Sequence, residues 1–137
     1  MVRPLMMIAG LALTIASATA SSPDRRRPTD RETRALATAL AGRVPGKPQN
    51  CVDQSRLQGP EIVGINDVLY RQSGRRIWRT TLRDSCPSLR GNPILVVQIY
   101  GNQLCSNDRF QAVNRMSRAS MGGYCFFGPF VPYDKAP

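Results

Sequence analysis

The stretch Val68–Leu82, read as VLYRQSGRRIWRTTL, decides the fold. Two runs rich in apolar and β-branched residues flank Ser73-Gly74, and both of these residues tolerate tight turns. The pattern predicts an antiparallel hairpin that gives Trp78, the only tryptophan of the chain, an apolar cross-strand partner. A two-residue loop would pair Gln72 with Arg75, Tyr70 with Ile77 and Leu69 with Trp78.

Short strands bounded by turn residues recur on both sides of this hairpin. The run Ile94-Leu95-Val96-Val97 is apolar at consecutive positions, which predicts a strand covered on both faces. The expected fold is mainly β, a small antiparallel, partly closed barrel or a sandwich of about six strands. The predicted strands are Glu61–Ile65, Val68–Gln72, Arg76–Leu82, Ile94–Tyr100, Arg109–Val113 and Tyr124–Phe127.

Residues 29–43 predict one N-terminal helix ahead of a β domain that spans residues 44–137. Thr29 and Glu32 stand at the spacing of a capping box, and apolar residues at helical spacing follow them. The helix is expected over about Asp30 to Ala41. Because its apolar stripe is thin and rich in alanine, the helix should dock on a surface rather than fill a core.

The first twenty residues have the pattern of a secretory signal peptide. A mostly apolar stretch, Leu5–Ala18, is too short to span a bilayer comfortably and ends in the small residues Ala18-Thr19-Ala20. Residues 21–28 are polar and bounded by prolines, which predicts a disordered lead-in. No second apolar segment of spanning length follows, so the mature chain is expected to be exported, periplasmic or secreted, without a transmembrane segment.

Four cysteines lie in the predicted mature chain, and an even number in an oxidising compartment indicates two disulfides. A zinc site is not expected, because the chain has no C-x-x-C motif and no histidine. Three pairings are possible. The preferred one joins Cys86 to Cys105, which flank a predicted strand, and Cys51 to Cys125, which then close the domain.

The C-terminal sequence GGYCFFGPFVPYDKAP, residues 122–137, is unusually aromatic. Its aromatic residues Tyr124, Phe126 and Phe127 are predicted to form the final strand of the core. Pro129 and Pro132 would then keep the exposed end from pairing with other chains. A ligand platform is the alternative interpretation.

Several stretches together resemble a family of small, exported, uncharacterised bacterial proteins, a domain of unknown function frequent in sphingomonad-type proteobacteria. The similarity covers roughly Val44 to Tyr133 and departs from the family at Thr80, where the family often has Asn. It implies an exported domain with two disulfides and no catalytic residue. The shared marks are Cys51, the Tyr70–Leu82 hairpin with Trp78 and Arg79, Cys86-Pro87-x-Leu89, Leu104-Cys105 with Asp108, and Cys125-x-x-Gly128.

Catalysis and a cofactor are not expected from this sequence. The chain lacks histidine, a nucleophile elbow, a phosphate-cradling glycine loop and a dinucleotide fingerprint. Asp84 and Asp108 are the one carboxylate pair worth naming, because a bond between Cys86 and Cys105 would bring them together. The simpler interpretation is that each caps a turn or pairs with a neighbouring arginine.

Positive charge is the feature with the most functional promise. The chain has 19 basic and nine acidic side chains, a net charge of +10, and only Lys47 and Lys135 are lysines. Arg75, Arg76 and Arg79 are the candidate anion-binding residues, with anionic lipid, lipopolysaccharide or acidic glycan as expected partners. Nucleic acid is not expected for an exported chain. The alternatives are a solvated basic surface and a domain that docks an envelope protein, such as an inhibitor of an envelope hydrolase.

Overall fold

The computed structural model of the chain describes residues 26–137. The predicted signal peptide and residues 21–25 of the predicted lead-in lie outside these described residues. Within them the fold is mainly β with one helix, as predicted, but the strands number ten in three antiparallel sheets rather than about six. The elements are α1 (Asp30–Ala39), β1 (Arg43–Pro45), β2 (Cys51–Asp53), β3 (Gln58–Val63), β4 (Asp67–Gln72), β5 (Arg76–Thr81), β6 (Ile94–Val97), β7 (Gln103–Cys105), β8 (Arg109–Val113), β9 (Ser120–Phe126) and β10 (Phe130–Lys135).

The largest sheet has five strands in the order β1-β10-β5-β4-β3 and is covered on both faces. Val68 and Tyr70 of β4 belong to the main hydrophobic core on one face. Leu69, between them, belongs to a smaller cluster on the other face, where α1 covers it through Leu36. Because β4 is buried on both sides, three consecutive apolar residues are accommodated there without exposing any of them.

The β4–β5 hairpin forms as predicted, but its predicted register is wrong by one residue. The loop contains Ser73, Gly74 and Arg75, and Ser73 has a positive φ of 58°. Since the loop holds three residues instead of two, every cross-strand pair moves by one position. The observed pairs are Gln72 with Arg76, Arg71 with Ile77, Tyr70 with Trp78 and Leu69 with Arg79.

Two smaller sheets pack against the same main core, one with the order β6-β8-β9 and the other β2-β7. Phe110 of β8 and Leu104 of β7 belong to the same hydrophobic cluster as Trp78 of β5. The sheets of residues 26–137 do not close into a barrel. The prediction that β6 is covered on both faces is wrong. Leu95 and Val97 pack against the core, whereas Val96 is 51% exposed.

The aromatic C-terminal region crosses between the two larger sheets, so the prediction that it supplies one final strand is wrong. The chain leaves β9 after Phe126, passes through Gly128 and enters β10. A Cβ atom at Gly128 would overlap the carbonyl oxygen of Thr81, so the crossing requires glycine. Phe127 and Phe130, on either side of Gly128, are fully buried in the core.

Pro132 does not guard an exposed edge, contrary to prediction, because β10 lies between β1 and β5. Its carbonyl oxygen accepts a hydrogen bond from the N–H of Gly46, on the β1 side of the strand. In a β-strand the N–H and C=O of one residue point the same way, so the missing N–H of Pro132 faces away from β5. The ladder between β10 and β5 therefore tolerates the proline.

The chain has two disulfides, as predicted, but the preferred pairing is wrong. Cys51 of β2 stands directly opposite Cys105 of β7 and bonds to it. Cys86, which precedes a short 3₁₀ turn over Pro87–Leu89, bonds to Cys125 of β9. The prediction failed because it treated Cys86 and Cys105 as the two ends of one strand region, whereas Cys105 belongs to a separate two-stranded sheet.

The N-terminal helix has the predicted cap and the predicted surface location. The Thr29 hydroxyl accepts the Glu32 N–H, and the Glu32 carboxylate accepts the Thr29 N–H, which completes the capping box. This hydrogen bond from the Thr29 backbone is the main cause of a lowered pKa for Glu32. No residue of α1 is fully buried.

Residues 26–28 have no regular secondary structure. Even so, the backbone N–H and the carbonyl of Arg26 both form hydrogen bonds with the domain. Its N–H donates to the Ser85 hydroxyl, and its carbonyl accepts from the side chain of Asn66.

No helix within residues 26–137 is long and apolar enough to cross a membrane.

Candidate anion-binding site

The three candidate arginines do not form one surface. Arg75 lies in the hairpin loop and Arg76 begins β5, whereas Arg79 lies on the face of β5 that α1 covers. The Nε of Arg79 donates to Asp67 at 2.9 Å, and the Asp67 side chain is only 6% exposed. Burial is the largest single influence on the pKa of Arg79 and lowers it, but the hydrogen bonds and charges of Asp67 and Tyr133 together outweigh burial, so the pKa is raised. The Arg79 side chain therefore stabilises the interior of the fold by pairing with Asp67.

Arg76 makes a bidentate ion pair with Asp134, a residue of the unpredicted strand β10. Its Nε and Nη2 donate to the two carboxylate oxygens of Asp134 in β10, each at 2.7 Å. The guanidinium also lies 5.2 Å from the ring centre of Trp78, whose indole N–H donates to Gln72. The hydrogen bonds between Arg76 and Asp134 raise the pKa of the arginine and lower that of the carboxyl group.

Two further basic residues join Arg75 and Arg76 at this place. The pairing of β1 with β10 sets Arg43 directly opposite Lys135, although their charges repel. The carbonyl of Arg75 accepts hydrogen bonds from the Arg43 guanidinium at 2.6 Å and from the Lys135 N–H at 3.0 Å. We refer to these four residues, Arg43, Arg75, Arg76 and Lys135, as the hairpin-tip cluster.

The carboxylate of Asp134 lies beside the four basic residues of the hairpin-tip cluster. After Arg76, the charges of Arg43 and Arg75 also lower the pKa of Asp134, so all three arginines act on the same group. Four cations and one anion give this surface a local charge of about +3 by simple counting. The cluster borders an open depression of about 390 Å³, whose lining residues are Gln72, Ser73, Arg75, Arg76, Asp134 and Lys135.

Basic side chains outnumber acidic ones about two to one within residues 26–137. Residues 1–25 contain Arg3, Arg25 and Asp24, which leaves 17 basic and eight acidic side chains within residues 26–137. Five of those acids already form ion pairs. The pairs are Arg26–Glu32, Arg56–Asp53, Arg71–Glu61, Arg76–Asp134 and Arg79–Asp67.

The Asp84 and Asp108 pair has no support from the observed disulfides, because Cys86 and Cys105 are not bonded to each other. The Asp108 carboxylate accepts the N–H of Cys105 at 2.7 Å, so it caps its own turn. Within residues 26–137, no group of three or more Cys, Asp or Glu side chains is arranged to hold a metal ion.

Three residues of this site were not predicted from the sequence, namely Arg43, Lys135 and the adjacent Asp134. They are brought to the hairpin by β1 and β10, and neither strand was predicted. Pro129 and Pro132 were interpreted as residues that guard an exposed end, although Pro132 lies within β10. No local signal in the sequence connects Arg43 with Lys135, because their contact depends on a pairing across 92 positions.

Comparison of the chain with protein-family models, with curated proteins and with solved structures gives no match. The geometry of residues 26–137 is therefore the basis for a functional proposal.

Proposed function

We propose that this protein is an exported, non-catalytic envelope domain that binds anionic groups through the hairpin-tip cluster. The observation that carries the proposal is the convergence of Arg43, Arg75, Arg76 and Lys135 around one carboxylate, beside an open depression. Asp134 holds the Arg76 guanidinium in a fixed orientation, so part of the site is ordered before a ligand arrives.

The chemistry of the cluster favours phosphate and carboxylate ligands. Guanidinium groups donate two parallel hydrogen bonds to such anions, and three of the four cations are arginines. The two disulfides favour an oxidising compartment, where the available anions are anionic lipid, lipopolysaccharide and acidic glycans. Nucleic acid is the less accessible polyanion in that compartment.

The proposal is tested by sedimentation with vesicles of phosphatidylcholine containing phosphatidylglycerol. The site variant combines Arg43→Gln, Arg75→Gln and Lys135→Gln, and the control combines Arg34→Gln, Arg90→Gln and Arg118→Gln. Both remove three charges, and the control residues are exposed and lie outside the cluster. We expect at least about a tenfold loss of binding for the site variant, given about 1 kcal/mol per basic residue at an anionic surface.

Asp134→Asn provides the opposite test at the same place. It removes the carboxylate beside the cluster and leaves Arg76 without its partner, so binding to the same vesicles should become tighter. Equal losses in the site and control variants would mean that net charge alone causes binding. A protein partner retained at about 500 mM salt, where exposed charges are screened, would instead support a protein-docking domain.

A further inference from the structure

The sheet β6-β8-β9 turns one face toward the core and leaves the other face exposed to solvent. The strand register places Val96, Gln111 and Tyr124 in one row across that outer face and Arg109 beside Phe126 in the next. Tyr124 is 46% exposed and Val96 is 51% exposed. We name this surface the aromatic face, and its residues are Val96, Gln98, Arg109, Gln111, Tyr124 and Phe126.

Arg109 lies over the ring of Tyr124 on the aromatic face. Its guanidinium carbon lies 4.7 Å from the centre of the Tyr124 ring, and its Nε donates to the side-chain oxygen of Gln98. Its two terminal nitrogens make no hydrogen bond within residues 26–137, so they can serve a ligand. An arginine with a fixed plane and two available donors is suited to a carboxylate.

The neighbouring groups are also held in place. Cys125 lies between Tyr124 and Phe126 and ties β9 to Cys86 through a disulfide. The side-chain amide of Gln111 donates to the Gly122 carbonyl at 3.1 Å, which orients it along the surface. Such a surface loses little conformational entropy when a ligand binds.

We propose that the aromatic face binds an acidic oligosaccharide, with a uronic-acid residue seated over Tyr124 and Arg109. The face of the Tyr124 ring that Arg109 does not cover would pack against the apolar C–H face of the sugar, the terminal nitrogens of Arg109 would bind its carboxylate, and Gln111 would contact its hydroxyls. Charge complementarity supports this ligand, because the face carries no carboxylate of its own. Asp108, adjacent in sequence, is turned toward the N–H of Cys105.

This site goes beyond the proposed function and shares no residue with the hairpin-tip cluster. Single-stranded nucleic acid also binds to aromatic and arginine side chains on sheets. The disulfides favour the glycan, since they point to an oxidising compartment. The test therefore includes both ligands.

The probes are a galacturonic acid tetramer, neutral maltotetraose and an oligothymidylate, each titrated into the full mature chain by calorimetry and by amide NMR shifts. Arg109→Gln and Tyr124→Ala should each weaken binding of the acidic tetramer about tenfold, as expected from losing one charged hydrogen-bonding group or one ring contact. Val96→Glu should weaken the acidic tetramer by repulsion. Tyr100→Ala, at a residue that is 88% exposed and outside the face, and Arg34→Gln are the matched controls.

Binding of the acidic tetramer that falls in the three face variants, but not in the two controls or in Arg75→Gln, supports the proposal. A variant that loses the parent's circular dichroism spectrum is left out of the comparison, and Tyr124→Phe, which keeps the ring, should keep binding. The proposal is overturned by no binding of the acidic tetramer, by equally tight binding of maltotetraose, by tighter binding of oligothymidylate, or by amide shifts confined to the hairpin-tip cluster.

Discussion

At the scale of single residues, Tyr70 shows how burial links the core to pH. Its side chain is 6% exposed and lies edge-on to Phe127, with ring centres 6.3 Å apart. Burial disfavours the charged phenolate, so the pKa of Tyr70 is raised above the value of a solvated tyrosine. The buried group must stay neutral for the core to remain packed.

This shift predicts an alkaline loss of stability. Because the pKa of Tyr70 is raised in the folded state, its contribution to stability is complete below the unfolded pKa of about 10 and declines as pH rises above that value. We expect the melting temperature of Tyr70→Phe to fall by about 3 °C less than that of the parent between pH 8 and pH 10.5. Tyr100→Phe, at an exposed site, should behave like the parent; equal falls in all three proteins would show that Tyr70 is not responsible.

At the scale of elements, local interactions form α1, and three apolar side chains dock it on the five-stranded sheet. The capping box of Thr29 and Glu32 defines where the helix begins. Leu36, Ala39 and Leu40 then cover Val63, Leu69 and Ile77 of the five-stranded sheet. Since no residue of α1 is fully buried, the helix contributes a cover for the sheet rather than a core of its own.

Leu36→Ala tests how α1 is docked. The side chain is half-buried, so its removal should lower the free energy of unfolding by about 1–2 kcal/mol, less than for a fully buried leucine. Ala37→Ser, at an exposed position of the same helix, should cost no more than about 0.5 kcal/mol. The measurement is urea unfolding of both variants, and equal effects would contradict the docking of α1 through Leu36.

At the scale of the whole molecule, the C-terminal region connects the two larger sheets, and the two disulfides link distant parts of the chain. The chain passes from β9 to β10 through Gly128, while Phe127 and Phe130 fill the core between the sheets. Cys51–Cys105 closes the two-stranded sheet, and Cys86–Cys125 ties the three-stranded sheet to the turn that follows β5. Each bond closes a long loop, with sequence separations of 54 and 39 residues.

Removal of either disulfide should strongly destabilise the domain. Loop-closure entropy gives about 4 kcal/mol for each bond, a large part of the stability of a small domain. We expect Cys51→Ala combined with Cys105→Ala to lower the melting temperature by roughly 15 °C or more. Peptide mapping without reduction should recover Cys51 linked to Cys105 and Cys86 linked to Cys125; a peptide joining Cys86 to Cys105 would contradict the structure.

The amino-acid sequence by itself determined the features that depend on neighbouring residues. The Thr29 and Glu32 cap, the β4–β5 hairpin and strand β8 were predictable, because capping groups, turn residues and alternating apolar positions act over a few residues. The even number of cysteines likewise predicted two disulfides.

Only the tertiary structure decided which distant parts meet. The pairing of Cys51 with Cys105, the position of β10 between β1 and β5, and the contact of Arg43 with Arg75 all depend on long-range strand pairing. Local propensity does not predict such pairing. Prolines are rare in central strands, so Pro129 and Pro132 gave no indication that β10 lies in the middle of a sheet. Both proposed binding surfaces arise from these long-range pairings, since each collects residues from strands that are separated in sequence.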